Sequence, residues 1–147
     1  MNKKVFKGLS MLLVLCALLV VCAGCGGGKS SSAPAKPKNY ATAEIDVLLQ
    51  QAEENAAAAN KNYKGKDLKI VSGTIGNIDS DMKYVSLEGS NKFTLKRVRC
   101  DTHGDKKLQD AITKLKKGQE VVVKGTVTDV GDLVGYYVKM DSIEPAK

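Results

Sequence analysis

The sequence predicts a small β-barrel domain of five strands with two helices beside it. Three observations carry that expectation. Apolar and polar residues alternate in five short runs between Leu68 and Met140. A helical pattern stands between the third and fourth of these runs. The first and fourth runs share a local pattern with glycine at the same place, Val71-Ser72-Gly73-Thr74-Ile75 and Val123-Lys124-Gly125-Thr126-Val127. Period-two alternation gives each strand one apolar face. A glycine inside such a run marks a sharp bend or a close approach to another backbone.

The chain opens with an address. Its first ten residues hold three lysines and no acid, and MLLVLCALLVVCAGC follows from Met11 to Cys25. A basic start, an apolar stretch and small residues make the three-part pattern of an export signal. Ala23-Gly24-Cys25 is similar to the lipobox of bacterial lipoproteins, with Cys22 where leucine is usual. That resemblance implies a signal peptide over 1–24 and lipidation of Cys25 by fatty acyl chains such as palmitate. Several acyl chains supply the multiple signals that stable anchoring needs. Residues 25–40 read as the lipidated cysteine and a flexible Gly/Ser/Pro/Lys tether. The expected location is the bacterial cell membrane or outer membrane, with the domain outside the cytoplasm.

Residues 41–147 are the expected folded unit. Thr42 is a candidate helix N-cap, and Ile45, Leu48, Leu49, Ala52, Ala56 and Ala59 recur at helical spacing, predicting an amphipathic helix over about 43–60. Strands are expected over 68–78, 84–88 and 92–100, with turns at Asp79-Ser80-Asp81 and Gly89-Ser90-Asn91. Leu108, Ala111, Ile112 and Leu115 line one face of a second helix over 105–117, which Gly118 stops. The last strands are expected over 120–127 and 133–140, with extension to Ile143. Three strands, a helix and two strands, with bent first and fourth members, is the order of an OB-fold. The predicted architecture is therefore a five-stranded OB-fold barrel, with a helix between strands three and four and an N-terminal amphipathic helix ahead of it.

The stretch NKNYKGKDLKIVSGTIGNID, Cys100 at the end of strand three, and LKKGQEVVVKGTV together resemble the tRNA anticodon-binding-like OB-fold family of bacterial proteins. The likeness runs from about Ile45 to Ile143. It rests on Tyr63-Lys64-Gly65-Lys66, Val71 to Gly73, Cys100, Lys117-Gly118-Gln119 and Val123 to Gly125. These motifs specify a barrel rather than a reaction. The family name implies nucleic acid by analogy of fold, and a fold does not determine a function.

The formal charge of +7 belongs largely to the address. Three lysines lie in the first 24 residues and three more, Lys29, Lys36 and Lys38, in the tether, leaving 17 basic against 16 acidic side chains from Ala41 onward. Nucleic-acid binding must then rest on a local patch. Cys16 and Cys22 leave with the signal and Cys25 is consumed by lipid, so Cys100 has no intrachain partner and reads as a small buried hydrophobe.

Candidates for catalysis are few. Asp101, His103 and Asp105 share one loop, which reads first as a polar connection and helix cap and only then as the centre of a metal-dependent hydrolase. No catalytic residue, metal or cofactor is expected. A binding face is better motivated, because OB barrels commonly use strands two and three with the one–two and four–five loops. With Val85 and Leu87 inward, Tyr84, Ser86 and Glu88 point out. A bulge at Lys96-Arg97 is expected, bringing Phe93, Leu95, Val98 and Cys100 all to the core. It leaves Lys96, Arg97 and Arg99 projecting beside Tyr84 as the candidate ligand-binding set, and alternation turns one ring of Tyr136-Tyr137 outward. The function expected is a non-catalytic, membrane-anchored module for an extracytoplasmic ligand: nucleic acid, glycan or peptide. The alternative is an accessory subunit that docks a protein partner in a cell-envelope assembly.

Overall fold

The computed structural model describes residues 37–91 and 94–147. The signal expected over 1–24, Cys25 and most of the expected tether lie outside the described residues, as do Lys92 and Phe93. In chain order the elements are β1 (Ala41–Glu44), α1 (Ile45–Tyr63), β2 (Asp67–Ile78), β3 (Tyr84–Glu88), β4 (Arg97–Asp101), α2 (Lys106–Ile112), β5 (Glu120–Gly131) and β6 (Gly135–Pro145).

The strands hydrogen-bond in the order β1-β2-β3-β4-β6-β5, and a further β2–β5 pairing closes β2 to β6 into a barrel. Within it β4 and β6 run parallel and the other neighbours antiparallel. This is the predicted five-stranded OB-fold barrel, with one extra strand. β1 pairs parallel with Leu68–Val71, the part of β2 that lies ahead of its pairing with β3. A peptide edge that would otherwise lie open is thereby covered.

The extra strand corrects the first helix. Thr42 is not its cap: Ala41–Glu44 spend their backbone groups on β2, and the helix starts at Ile45 with Glu44 making no side-chain cap. Asp46 in the first turn instead ties the helix to the β3–β4 loop, accepting from the Ser90 N–H and hydroxyl, both at 2.7 Å. α1 is also interrupted at Asn55 (φ −161°, ψ 91°), whose side chain accepts from the Ala58 N–H at 3.0 Å and restarts the helix. Its buried residues are the six that the periodicity singled out. All but Ala56 join Ile70, Val85, Leu87, Val98, Val121 and Val138 in one core.

Other boundaries differ too: α1 runs on to Tyr63, β5 to Gly131, and β6 from Gly135 to Pro145. The second helix ends at Ile112, and Asp105 caps it by accepting from Lys107 and Leu108 N–H at 2.8 and 3.3 Å. The third barrel strand begins only at Arg97.

The matching glycines both sit at register shifts, Gly73 on the β2–β5 ladder and Gly125 on β5–β6. A Cβ on Gly125 would run into the Lys139 carbonyl oxygen, whereas one on Gly73 would meet methyl groups of Leu87 and Ile45 at 3.1 and 3.3 Å.

On the outer surface of β2, β5 and β6, Lys38 closes a polar clasp. Its ammonium donates to Asp141 at 2.7 Å and to Thr126 at 2.9 Å; Tyr40 donates to the same Asp141 at 3.1 Å, and Thr126 donates to Asp67 at 2.5 Å. Partial burial opposes the Lys38 charge, but the hydrogen bond and charge of Asp141 outweigh it and hold the ammonium above its ordinary pKa.

Candidate ligand-binding face

The candidate face is the outer surface of β3, β4 and β6. Antiparallel pairing sets Tyr84 opposite Asp101 and Ser86 opposite Arg99. The parallel β4–β6 ladder sets Arg99 beside Tyr137 and Asp101 beside Lys139. Alternation buries Val85, Leu87, Val98, Cys100, Tyr136 and Val138, so their neighbours in sequence form a grid facing out. At its centre the Arg99 guanidinium lies 3.8 Å from the centroid of the Tyr84 ring. Such diagonal neighbours across a ladder are within reach of long side chains, and cation–π attraction favours the stack. The Arg99 Nε also meets Asp101 Oδ1 at 3.1 Å.

Of the four side chains singled out in the sequence, the fold brings two together. Tyr84 and Arg99 stack. Arg97 sits one row away and is engaged: its Nε meets Glu88 at 3.1 Å, and its Nη1 donates to the Thr94 and Lys96 carbonyls, both at 2.9 Å. Lys96 does not project. It is 8% exposed, and its ammonium donates to the carbonyl of Asp132 in the β5–β6 turn.

The expected bulge is absent as well, because β3 and β4 pair without a register shift and the strand starts at Arg97. Val98 and Cys100 therefore reach the core unaided, and Leu95 is left 85% exposed. Phe93 lies outside the described residues. Sequence reasoning missed Lys139, exposed beside Asp101. The available signal was topological: a parallel strand-three to strand-five ladder brings alternate residues of the last strand onto this face.

An open groove of about 480 Å³ borders the stack, lined by Asp81, Lys83, Arg99, Asp101, His103 and Gln109 among others. Its cations face nearby carboxylates, Lys83 meeting Asp81 at 2.7 Å. Asp81 is held below the usual carboxylate range by that hydrogen bond. No three His, Cys, Asp or Glu side chains converge among the described residues in a way that could hold a metal ion. Thr102, the neighbour of Asp101 and His103, is buried and donates to the Met82 carbonyl at 3.0 Å, so this loop is pinned to the turn between β2 and β3. Inside the barrel, burial pushes the Cys100 thiol and the Tyr136 phenol well above their ordinary pKa values.

A protein-family model described as tRNA_anti-like matches residues 3–136. The chain belongs to this tRNA_anti-like family. Its fold is similar to that of the "putative nucleic acid-binding lipoprotein" from Klebsiella pneumoniae subsp. pneumoniae MGH 78578, with a TM-score of 0.52 at 21% identity over 74% of this chain and 92% of that one. At that identity the likeness speaks for the fold of this tRNA_anti-like chain alone. A weaker similarity, with a TM-score of 0.45 at 15% identity, links 71% of the chain to 23% of asparaginyl-tRNA synthetase from Pyrococcus horikoshii. No curated protein matches the chain. Among the described residues, no helix is long and apolar enough to cross a membrane.

Proposed function

We propose that the protein is a lipid-anchored, non-catalytic binding module of the cell envelope, and that the β3–β4–β6 face takes single-stranded nucleic acid by stacking. The observation that carries the ligand assignment is the Tyr84–Arg99 stack at 3.8 Å, with Tyr137 beside Arg99 in register. A planar ring flanked by a guanidinium is a platform for a nucleobase, and every base has a π-face to offer. The Klebsiella lipoprotein, similar in fold, bears a name that pairs the same two properties.

Charge makes a smaller contribution. Arg97, Arg99 and Lys83 each meet a carboxylate on this face, so a phosphate backbone finds few unengaged partners and must displace Asp101 or Glu88 to gain one. The expected behaviour is modest affinity with a shallow salt dependence, unlike that of a strongly basic binder.

Fluorescence anisotropy with labelled oligothymidylate and oligouridylate, on the chain from residue 25 with Cys25→Ser, tests the ligand. Binding that Tyr84→Ala and Arg99→Ala each weaken supports the reading, and no binding at low salt overturns it. The anchor is tested separately. A clickable fatty acid should label the wild-type protein in cells and not the Cys25→Ala variant; an unlabelled wild type removes the anchor.

A further inference from the structure

At the turn end of the β5–β6 hairpin, two leucines stand in solvent. Leu95 is 85% and Leu133 87% exposed; of the described large hydrophobics only Val47, at 49%, joins them. Burying such side chains is worth about 1.5–3 kcal/mol each relative to exposure, so two held fully out on neighbouring segments call for a reason.

Their exposure is built in. The Lys96 ammonium, next to Leu95 in sequence, bonds the carbonyl of Asp132, next to Leu133. The Arg97 N–H donates to the Val134 carbonyl at 2.7 Å, and Arg97 Nη1 holds the Thr94 and Lys96 carbonyls. A buried ammonium and a fixed guanidinium thus lock together the two segments that present the leucines.

The surroundings favour one occupant. Tyr137 and Thr128 line an open depression of about 570 Å³ together with Leu133 and Val134. The turn between α1 and β2 is bonded to the same hairpin, Gly65 N–H to the Val127 carbonyl at 2.8 Å and Val127 N–H to the Lys66 carbonyl at 2.9 Å. It exposes Lys64 and Lys66, the Lys64 ammonium donating to Asp129 at 3.1 Å. Leucine at a tip, a tyrosine behind it and lysines alongside is the composition that sits at a bilayer surface, with apolar groups entering, rings at headgroup depth and ammonium groups on anionic lipid. Asp129 and Asp132, which line the same depression, limit the insertion to a shallow one. The chain ahead of the described domain supplies the proximity: eleven residues separate Cys25 from Pro37, and that many residues reach at most about 40 Å when fully extended.

We propose that Leu95 and Leu133 form a membrane-contact edge, seating the domain on the bilayer that carries lipidated Cys25. This rests on the lipid-anchor reading. With the edge down, Tyr137 serves the headgroup layer, and base stacking falls to Tyr84 and Arg99.

The sequence contains no tryptophan, so single reporters are clean. Leu95→Trp, Leu133→Trp and a control, Lys114→Trp in the exposed turn after α2, are placed in the chain from residue 25. Each is coupled through the Cys25 thiol to a maleimide lipid in vesicles of equal parts phosphatidylcholine and phosphatidylglycerol. Chemical coupling supplies the anchor whether or not cells lipidate Cys25, so the edge and the anchor fail independently. The expected result is a blue-shifted emission quenched by brominated acyl chains at 95 and 133, and neither change at 114. Unshifted emission at 95 and 133 in coupled, folded protein overturns the proposal. A blue shift that needs no vesicles and grows with protein concentration overturns it too, by assigning the edge to a second copy of the chain.

Discussion

Opposite walls of this barrel use the same polar residue types in different ways. On the β3–β4–β6 face, ion pairs join near neighbours: Lys83 with Asp81, Arg99 with Asp101, Arg97 with Glu88. On the β2–β5–β6 side, Lys38, Thr126, Asp67 and Asp141 join positions 59 to 103 residues apart. A short-range pair can open and reclose without moving a strand, so a ligand can displace it. A long-range cluster ties separate segments together, and opening it frees part of the fold. The comparison teaches that charge on the first wall is available for exchange and charge on the second is committed to structure.

The largest way to break that division is Gly125→Ala on the committed side. Its Cβ meets a backbone oxygen that cannot step aside, and overpacking of this kind costs about 3 kcal/mol. Urea unfolding should show that loss, while Gly73→Ala, facing movable methyl groups, should lose about 1 kcal/mol; equal losses would refute the distinction. On the other wall Tyr84→Ala should weaken oligonucleotide binding about tenfold with the urea midpoint unchanged. A fall in the midpoint without a fall in affinity would make the stack structural.

The interior shared by both walls sharpens the contrast through pH. Cys100 and Tyr136 are held protonated by burial, from ordinary values of 9.0 and 10.0. The unfolded chain releases these protons first, so stability should fall as pH rises through 9 and 10, by about 1.4 kcal/mol per pH unit for each ionising group. Cys100→Ala, although it adds a small cavity, should flatten the first part of that slope; an unchanged slope would remove the thiol as its cause. Smallest is Lys38→Ala. The pair is partly exposed, so its loss should cost about 0.5 kcal/mol and leave oligonucleotide affinity as it was. A tenfold drop in affinity would mean that the two walls are coupled.

Much of the barrel was legible from residue pattern. Alternation located all five barrel strands, and the paired glycines located both bends, because period and backbone approach are local properties. The start of β4 was not legible: the break in alternation at Lys96-Arg97 reads as a bulge inside a strand, yet the strand begins only at Arg97 and Lys96 turns away to satisfy a carbonyl on a distant hairpin. β1 was hidden for the same reason, since four residues that can open a helix instead complete the edge of β2. In the candidate site, Tyr84 and Arg99 followed from alternation, whereas the engagement of Arg97 and the arrival of Lys139 depend on which strands become neighbours.

The Lys38 clasp has a mechanical consequence. If the chain is anchored at Cys25 as proposed, drag on the domain arrives as tension at residue 37. It loads the bonds of Lys38 to Thr126 and Asp141 first, then β1, whose four residues pair in parallel with Leu68–Val71 and are sheared when the pull runs along the strand. A ladder loaded in that direction shares the force among its pairs instead of opening one at a time. Ile45, buried in the core directly after β1, comes under load only when that ladder has given way.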